Sequence, residues 1–249
     1  ECELIIEPCK ASEILMNGQP LRSLRFSGTN RGSDYIFDED TKIRTCEHVL
    51  SALTGLGIWS GVNVRVNGGE MPALDGCGKL LSDEILKHRS NDNYVEATEV
   101  SKPVIVNSDN RKRFVAAFPA DRLHITYTVD YKFIGAQIID YVHSPEKYFA
   151  EIASARTFAM KSDIDYLRSH GMAMGGSLDN AIVVGETIQA SGGLRWPDEF
   201  VRHKVLDLIG DLASLGKKLN AHIIAMRAGH ELHLKLTERL KEETGIARD

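Results

Sequence analysis

The sequence predicts an α+β fold of two similar α+β domains, each a sheet with packed helices, and three observations carry that expectation. Strand-like and helical stretches are both abundant, but they do not follow a strict βα alternation, which argues against a doubly wound sheet. The order helix, short strand, helix recurs, at 46–56, 61–67 and 78–88 in the first half and at 198–215, 220–228 and 230–245 in the second. Between the halves lies "HRSNDNYVEATE" (88–99), a polar stretch that reads as a link. The resulting division is a first domain over 1–90, a linker over 91–100 and a second domain over 101–249.

Along the chain, apolar and polar residues alternate as a half-buried strand requires at "CELIIE", "VNVRVNG", "KRFVAAF" and "LHITYTVDY". A helix is expected from Thr45, read as its N-cap, through "CEHVLSALTGLG" to Gly55 or Gly57. A second starts at "SPEKYFAEIASA", where Ser144 can cap and Pro145 sits at the first helical position. "KSDIDYLRSHG" is a third, closed by Gly171 as the residue beyond its C-cap. In "DEFVRHKVLDLIGDLASLG" (198–216), Val201, Val205, Leu208, Ile209 and Leu212 spread over one apolar face at about 100° per residue. His203, Asp207 and Asp211 fall at i, i+4 and i+8, in a polar stripe opposite, where water is the expected neighbour. "AHIIAMRAG" then reads as a strand and "HELHLKLTERLKEE" as a closing helix.

Composition narrows the function. Apolar content of 43% and charged content of 26% suit a globular chain. A net charge of −5 leaves no basic surplus for a nucleic-acid backbone. No apolar run approaches the ~20 residues of a membrane span, and no secretory leader opens the sequence, so a cytoplasmic location is expected. Cys2, Cys9, Cys46 and Cys77 form no CxxC pair, so any metal must rest on histidine and carboxylate.

A catalytic zinc takes three protein ligands and keeps one position open. His203 and Asp207, one helical turn apart, can supply two, and His48 at the start of another helix a third. Glu47 would then lie beside the metal, where a general base belongs. His230, on a Gly-containing turn, could serve as an imidazolium acid, with Asp211 raising its pKa. Each feature has a plainer reading: an exposed His-xxx-Asp pair is ordinarily a solvated pair worth a few tenths of a kcal/mol. "EH" suits a helix dipole, and His230 alone is a turn residue. "GGSLDNA" reads as a loop or a phosphate-cradling turn, and Arg111, Lys112 and Arg113 as a hairpin turn or a phosphate contact. His88, His124, His143, His170, His222 and His233 receive no role.

Taken together, "TCEHVLSALTGLGI", "MPALDG", "SARTF", "GGSLDNAIVV", "EFVRHKVLDLIGDLASLG" and "AGHELHLKL" resemble the zinc-dependent UDP-3-O-acyl-N-acetylglucosamine deacetylase family (LpxC) over residues 45–236. The resemblance implies helices packed face to face between two outer sheets, and hydrolysis of the substrate's N-acetyl group in the committed step of lipid A biosynthesis. It implies His48, His203 and Asp207 as zinc ligands, with Fe2+ accepting a similar donor set. Glu47 matches the general base, His230 the general acid and Asp211 its partner. Thr157 matches a hydroxyl that polarises the substrate carbonyl, Phe158 an aromatic near the sugar, and Lys204 a positive charge near the diphosphate. The partner is then a UDP-linked acylated amino sugar, handled by a monomer in transient contact with a membrane surface. The family opens with a strand and a Gly-rich turn ahead of the point matched by "ECELIIEP". Cys46 and Met160 replace a usual valine and phenylalanine. Two other readings stay open: a zinc deacetylase of a different N-acyl sugar, and a non-catalytic relative binding a nucleotide sugar.

Overall fold

A computed structural model describes residues 2–29, 32–88, 95–164 and 177–246. Strands β1 (Glu3–Pro8), β2 (Leu15–Met16), β3 (Gln19–Pro20), β4 (Arg25–Gly28), β5 (Ser33–Ile36) and β6 (Lys42–Ile43) precede helix α1 (Glu47–Gly55). Strand β7 (Val62–Asn67) and helix α2 (Lys79–His88) follow. The second half runs through β8 (Ala97–Glu99), β9 (Val104–Asn107), β10 (Phe114–Phe118), β11 (Leu123–Tyr131) and β12 (Gly135–Val142) to a short helix α3 (Pro145–Lys147). Then come β13 (Phe158–Met160), β14 (Ile182–Val184), β15 (Ile188–Gln189), helix α4 (Glu199–Leu212), β16 (Lys218–Met226) and helix α5 (His230–Thr244).

Alternation decides which side of each strand is buried. In β11 the residues Leu123, Ile125, Tyr127 and Val129 point inward, and the intervening ones face outward. This strand lies in a six-stranded sheet, ordered β12-β11-β16-β10-β9, with β8 also pairing with β16. A four-stranded sheet, β1-β7-β2-β3, forms in the first half, and β4-β5-β6 and β13-β14-β15 are smaller sheets.

The helices lie between the two large sheets. Val49, Leu50 and Leu53 of α1 share a core with Met16, Val64 and Val66 of the four-stranded sheet. Val201, Val205, Leu208 and Leu212 of α4, with Leu232, Leu236 and Leu240 of α5, pack on Ile125, Tyr127 and Ile223 of the six-stranded sheet. The two helix layers meet where α1 crosses α4. At Gly210 a Cβ would collide with the backbone carbonyl of Glu47, so only glycine permits this approach. Thr54 Oγ1 also donates to Ile209 O (3.3 Å) across the crossing.

This contact overturns one expectation. The stripe His203, Asp207, Asp211 is not a wet face: all three are buried, because α1 lies against it. Two local readings also change. Thr45 does not cap α1: its backbone is left-handed (φ 59°) and its hydroxyl reaches Glu70 Oε1 (3.3 Å). Cys46 holds the N-cap position without a side-chain cap bond, and its N–H donates to Ser33 O (3.0 Å). Ser144 does cap α3, accepting from Lys147 N (3.2 Å), with Pro145 at the start. That helix becomes a π-turn over Tyr148–Ile152 and stops, short of the expected Ala155. The carbonyls of Ala153, Ser154 and Ala155 instead accept from Gly78 N, Arg195 Nη1 and His203 Nδ1. The end of the supposed link, Ala97–Glu99, is strand β8, paired parallel to Lys218–Asn220. The helix expected over 161–171 falls outside the described residues from 165 onward, as do Gly175 and Gly176.

Replacing Gly210 by alanine should cost about 3 kcal/mol in overpacking and recover about 1 kcal/mol in helix propensity. The expected net loss, about 2 kcal/mol in urea unfolding, would be absent if the helices were not in backbone contact.

Candidate metal and catalytic centre

Helices α1 and α4, with the turn before α5, supply the polar groups of the crossing. Asp207 is central. Its Oδ1 lies 3.2 Å from His203 Nε2 and 3.6 Å from His48 Nε2, and its Oδ2 accepts from Lys204 Nζ (2.7 Å). His230 Nε2 stands 3.6 Å from the same Oδ2. One ligand atom each from His48, His203 and Asp207 lies within 4.8 Å of the others, and the same holds for Glu47, Asp207 and His230.

His203 Nδ1 donates to Ala155 O (3.0 Å), which leaves the Nε2 lone pair facing the centre. Burial outweighs the pull of Asp207 and holds the His203 pKa down at about 3, so the ring is neutral. Asp207 Oδ1 is buried and accepts no hydrogen bond. A nitrogen lone pair and a carboxylate oxygen therefore face each other at 3.2 Å with no proton between them. That is repulsive unless a cation sits among them, so the residues fit a metal ion. Burial works to raise the Asp207 pKa, but the cationic Lys204 and His230 beside it help outweigh burial and hold the carboxyl well below the usual range.

Glu47 is positioned by β5: Ser33 donates through both N (2.9 Å) and Oγ (3.1 Å) to Oε2. Gly32 lies directly above this carboxylate, where a Cβ would collide with it. Burial raises the Glu47 pKa, with His230 and His48 working the other way. His230 Nδ1 donates to Asp211 Oδ2 (2.8 Å). Burial lowers the pKa of this imidazole, but Asp211, Glu47 and Asp207 together raise it to about 9. The His48 pKa is also raised: burial opposes, but Asp207 and Glu47 prevail.

The other expected residues flank this core. Phe158 stands edge-on to the His203 ring (6.1 Å between centroids) and to Phe200 (5.1 Å). Thr157 lies between Phe158 and the Ala155–Arg156 pair, and its hydroxyl has no hydrogen-bond partner among the described residues. Lys204 is half an exception to its expected place: its ammonium is bound to Asp207 and lies 5.5 Å from the Phe158 ring centroid. Lys112 and Arg111 lie in the turn between β9 and β10, as a hairpin would have them.

Sequence reasoning missed His233 and Ser33. His233 Nδ1 donates to Asp211 Oδ2 (2.7 Å), and its Nε2 accepts from Tyr127 Oη (2.9 Å), whose single proton it shares with Ala228 O at the same distance. Its spacing of three from His230 on one helix was the available signal. Nothing local marked Ser33, which acts across a strand-to-helix contact.

The "SARTF" segment is fixed by a buried ion pair. Arg156 Nε and N both bond Glu199 Oε1 (2.9 and 3.0 Å), and the guanidinium also donates to Ser191 O and Gly193 O.

Residues 20–242 match the family described as UDP-3-O-acyl N-acetylglycosamine deacetylase. The chain is similar to the UDP-3-O-acyl-N-acetylglucosamine deacetylase of Aquifex aeolicus, 36% identical over 255 residues covering 99% of this chain and 88% of the relative. The enzyme of the same name from Nostoc sp. is 37% identical over 210 residues (81% and 74%). That of Chlamydia felis is 39% identical over 211 residues (82% and 74%).

Glu199→Gln should destabilise the protein by about 3–5 kcal/mol, since it leaves the Arg156 charge buried and unmatched. Burial opposes ionisation of Glu199, but its bonds to Arg156 and Arg195 prevail and lower its pKa. Its contribution is therefore complete above the unfolded-state carboxyl pKa and fades as pH falls toward the lower folded value. Unfolding of the wild type and the variant across this acid range should converge, and parallel curves would contradict the pairing.

Proposed function

The chain belongs to the UDP-3-O-acyl-N-acetylglucosamine deacetylase family (LpxC), and from that premise we propose that it removes acetate from UDP-3-O-acyl-N-acetylglucosamine in the committed step of lipid A biosynthesis. The observation that carries the reading is the orphaned Asp207 Oδ1 facing the His203 lone pair, with Glu47 and His230 on either side.

We assign His48, His203 and Asp207 as the ligands of a divalent ion, zinc by donor type, with iron(II) accepting the same set. When bound, the ion acidifies a water and polarises the substrate's amide carbonyl. Glu47, fixed by Ser33, takes the proton from the attacking water. His230, held protonated by Asp211, gives its proton to the amide nitrogen as the C–N bond breaks, so acetate and a free amine leave. Thr157 can donate to the carbonyl oxygen, and Phe158 covers the His203 ring edge-on. Lys204 neutralises Asp207 and places a cation toward the diphosphate. The two-domain division belongs to the same reading, with its junction ahead of β8, which already pairs with β16, because Glu47 and His48 come from one half and the remaining groups from the other. Among the described residues no helix is long and apolar enough to cross a membrane, and the acyl chain of the substrate is what would bring the enzyme transiently to a membrane surface.

Acetate release from the UDP-linked substrate should require bound metal, disappear after chelation and return with zinc. Asp207→Ala should lose metal and turnover together. Glu47→Gln should keep the metal and lose about 10²–10⁴-fold in kcat. Undiminished turnover in Glu47→Gln, or in metal-free protein, would overturn the assignment.

A further inference from the structure

His124 and His222 have no part in the catalytic centre, yet the six-stranded sheet brings them together on its face away from α4. They lie on neighbouring strands β11 and β16, directly paired in register, and β12 places Asp140 opposite Thr126. All four side chains project from the outer face, since Leu123, Ile125, Tyr127 and Ile223 take the inner one. The two imidazoles stack at 4.0 Å with their planes 6° apart. His124 Nε2 meets Asp140 Oδ1 at 2.7 Å, and Thr126 Oγ1 donates to the same oxygen (2.7 Å) while meeting His222 Nε2 at 2.9 Å.

We propose that His124, Asp140 and His222 form a second divalent-metal site, on the outer face of the six-stranded sheet and separate from the catalytic centre. Two imidazole nitrogens and one carboxylate oxygen suit zinc, nickel or copper(II) rather than magnesium or calcium. The three ligand atoms already lie within 4.8 Å of one another. Metal–ligand bonds of about 2.0–2.2 Å set such atoms roughly 3–3.5 Å apart, so His124 and Asp140 part slightly from their 2.7 Å contact while the His222 ring tilts out of the stack toward them. The side chains have room to do so, with His124 27% and Asp140 66% exposed. In the metal-free arrangement Thr126 donates to Asp140, so His222 must donate its Nε2–H to the Thr126 oxygen, and His124 its Nε2–H to Asp140. Metal binding moves each ring proton to Nδ1 through solvent, with no net release from neutral rings. Thr126 then remains as the hydroxyl that orients Asp140. Burial and the neighbouring His124 hold the His222 pKa below its usual value, which keeps that donor neutral. Thr126 and His124 likewise lower that of Asp140 and keep it ionised. Because β11, β16 and β12 are hydrogen-bonded neighbours, the ligands come from a rigid frame rather than a loop.

The test is metal stoichiometry after equilibration with micromolar zinc chloride and gel filtration, in the wild type, His222→Ala, Asp140→Asn, His88→Ala and Asp207→Ala. The wild type should carry one more equivalent than His222→Ala or Asp140→Asn, with acetate release unchanged in both variants. His88→Ala should match the wild type. Equal zinc content in the wild type and His222→Ala, or an equal loss in His88→Ala, would overturn the proposal. Failure of the catalytic metal reading is a separate outcome: Asp207→Ala would then match the wild type while His222→Ala still fell below it.

Discussion

The backbone contact of Glu47 with Gly210 is the constraint on which the rest of the molecule turns. It closes two helices over a polar stripe and removes Asp207, Asp211, His203 and Glu47 from water. Ionised groups in such a place are tolerable only when matched, because at an effective dielectric of about 20 two charges 4 Å apart interact by about 4 kcal/mol. Three carboxylates meet there, and the protein answers with Lys204, a protonated His230 and the buried donor groups of Ser33 and His233. The crossing is thus both the centre of the fold and the source of the chemistry, since the packing that costs solvation is what makes each remaining charge effective.

The surrounding structure serves that crossing. The first small sheet leans on it from one side: Gly28 lets its backbone meet that of His230, and Gly32 does the same over the Glu47 carboxylate. A side chain at either position would push the strand away and loosen the Ser33 hydrogen bonds. From another side, the Arg156–Glu199 pair ties "SARTF" to the first turn of α4. That tie puts the Ala155 carbonyl where it selects the His203 tautomer, and carries Thr157 and Phe158 beside the same ring. Ring orientation, hydroxyl placement and helix position are therefore set by one buried pair.

Much of this was legible in the residues. Strict alternation gave β11 its bounds, and helical spacing put His203, Asp207 and Asp211 on one face. Periodicity reports which residues share a face, but not what lies against it, so by geometry alone the stripe had water as its expected neighbour, and it became one wall of a site only when Glu47, His48 and His230 were set beside it. Thr45 failed as a cap for a related reason: its backbone is turned left-handed by long-range pairing of Arg44 with Met71 and of Cys46 with Ser33. The π-turn after α3 ends where three carbonyls find partners from distant segments. His233 escaped notice because its role depends on Asp211 and Tyr127, which only the packing of α5 against α4 and β11 brings together.

That trio also explains why one imidazole rather than the other keeps the proton. Asp211 accepts from both rings through a single oxygen, Oδ2, while its buried Oδ1 has no partner. Two cations on one oxygen would repel, so the rings compete. His230 faces Asp211, Glu47 and Asp207, and their combined charge overcomes burial. His233 suffers the same burial with weaker anionic support and with His230 against it, and its pKa is lowered. Its Nε2 rests instead on the Tyr127 hydroxyl, whose own pKa burial raises well above the usual value. The second imidazole thus orients Asp211 as a neutral donor, which leaves the carboxylate charge available to His230. A helix with histidines three apart presents both to one carboxylate, and the unequal surroundings make one an acid and the other its support.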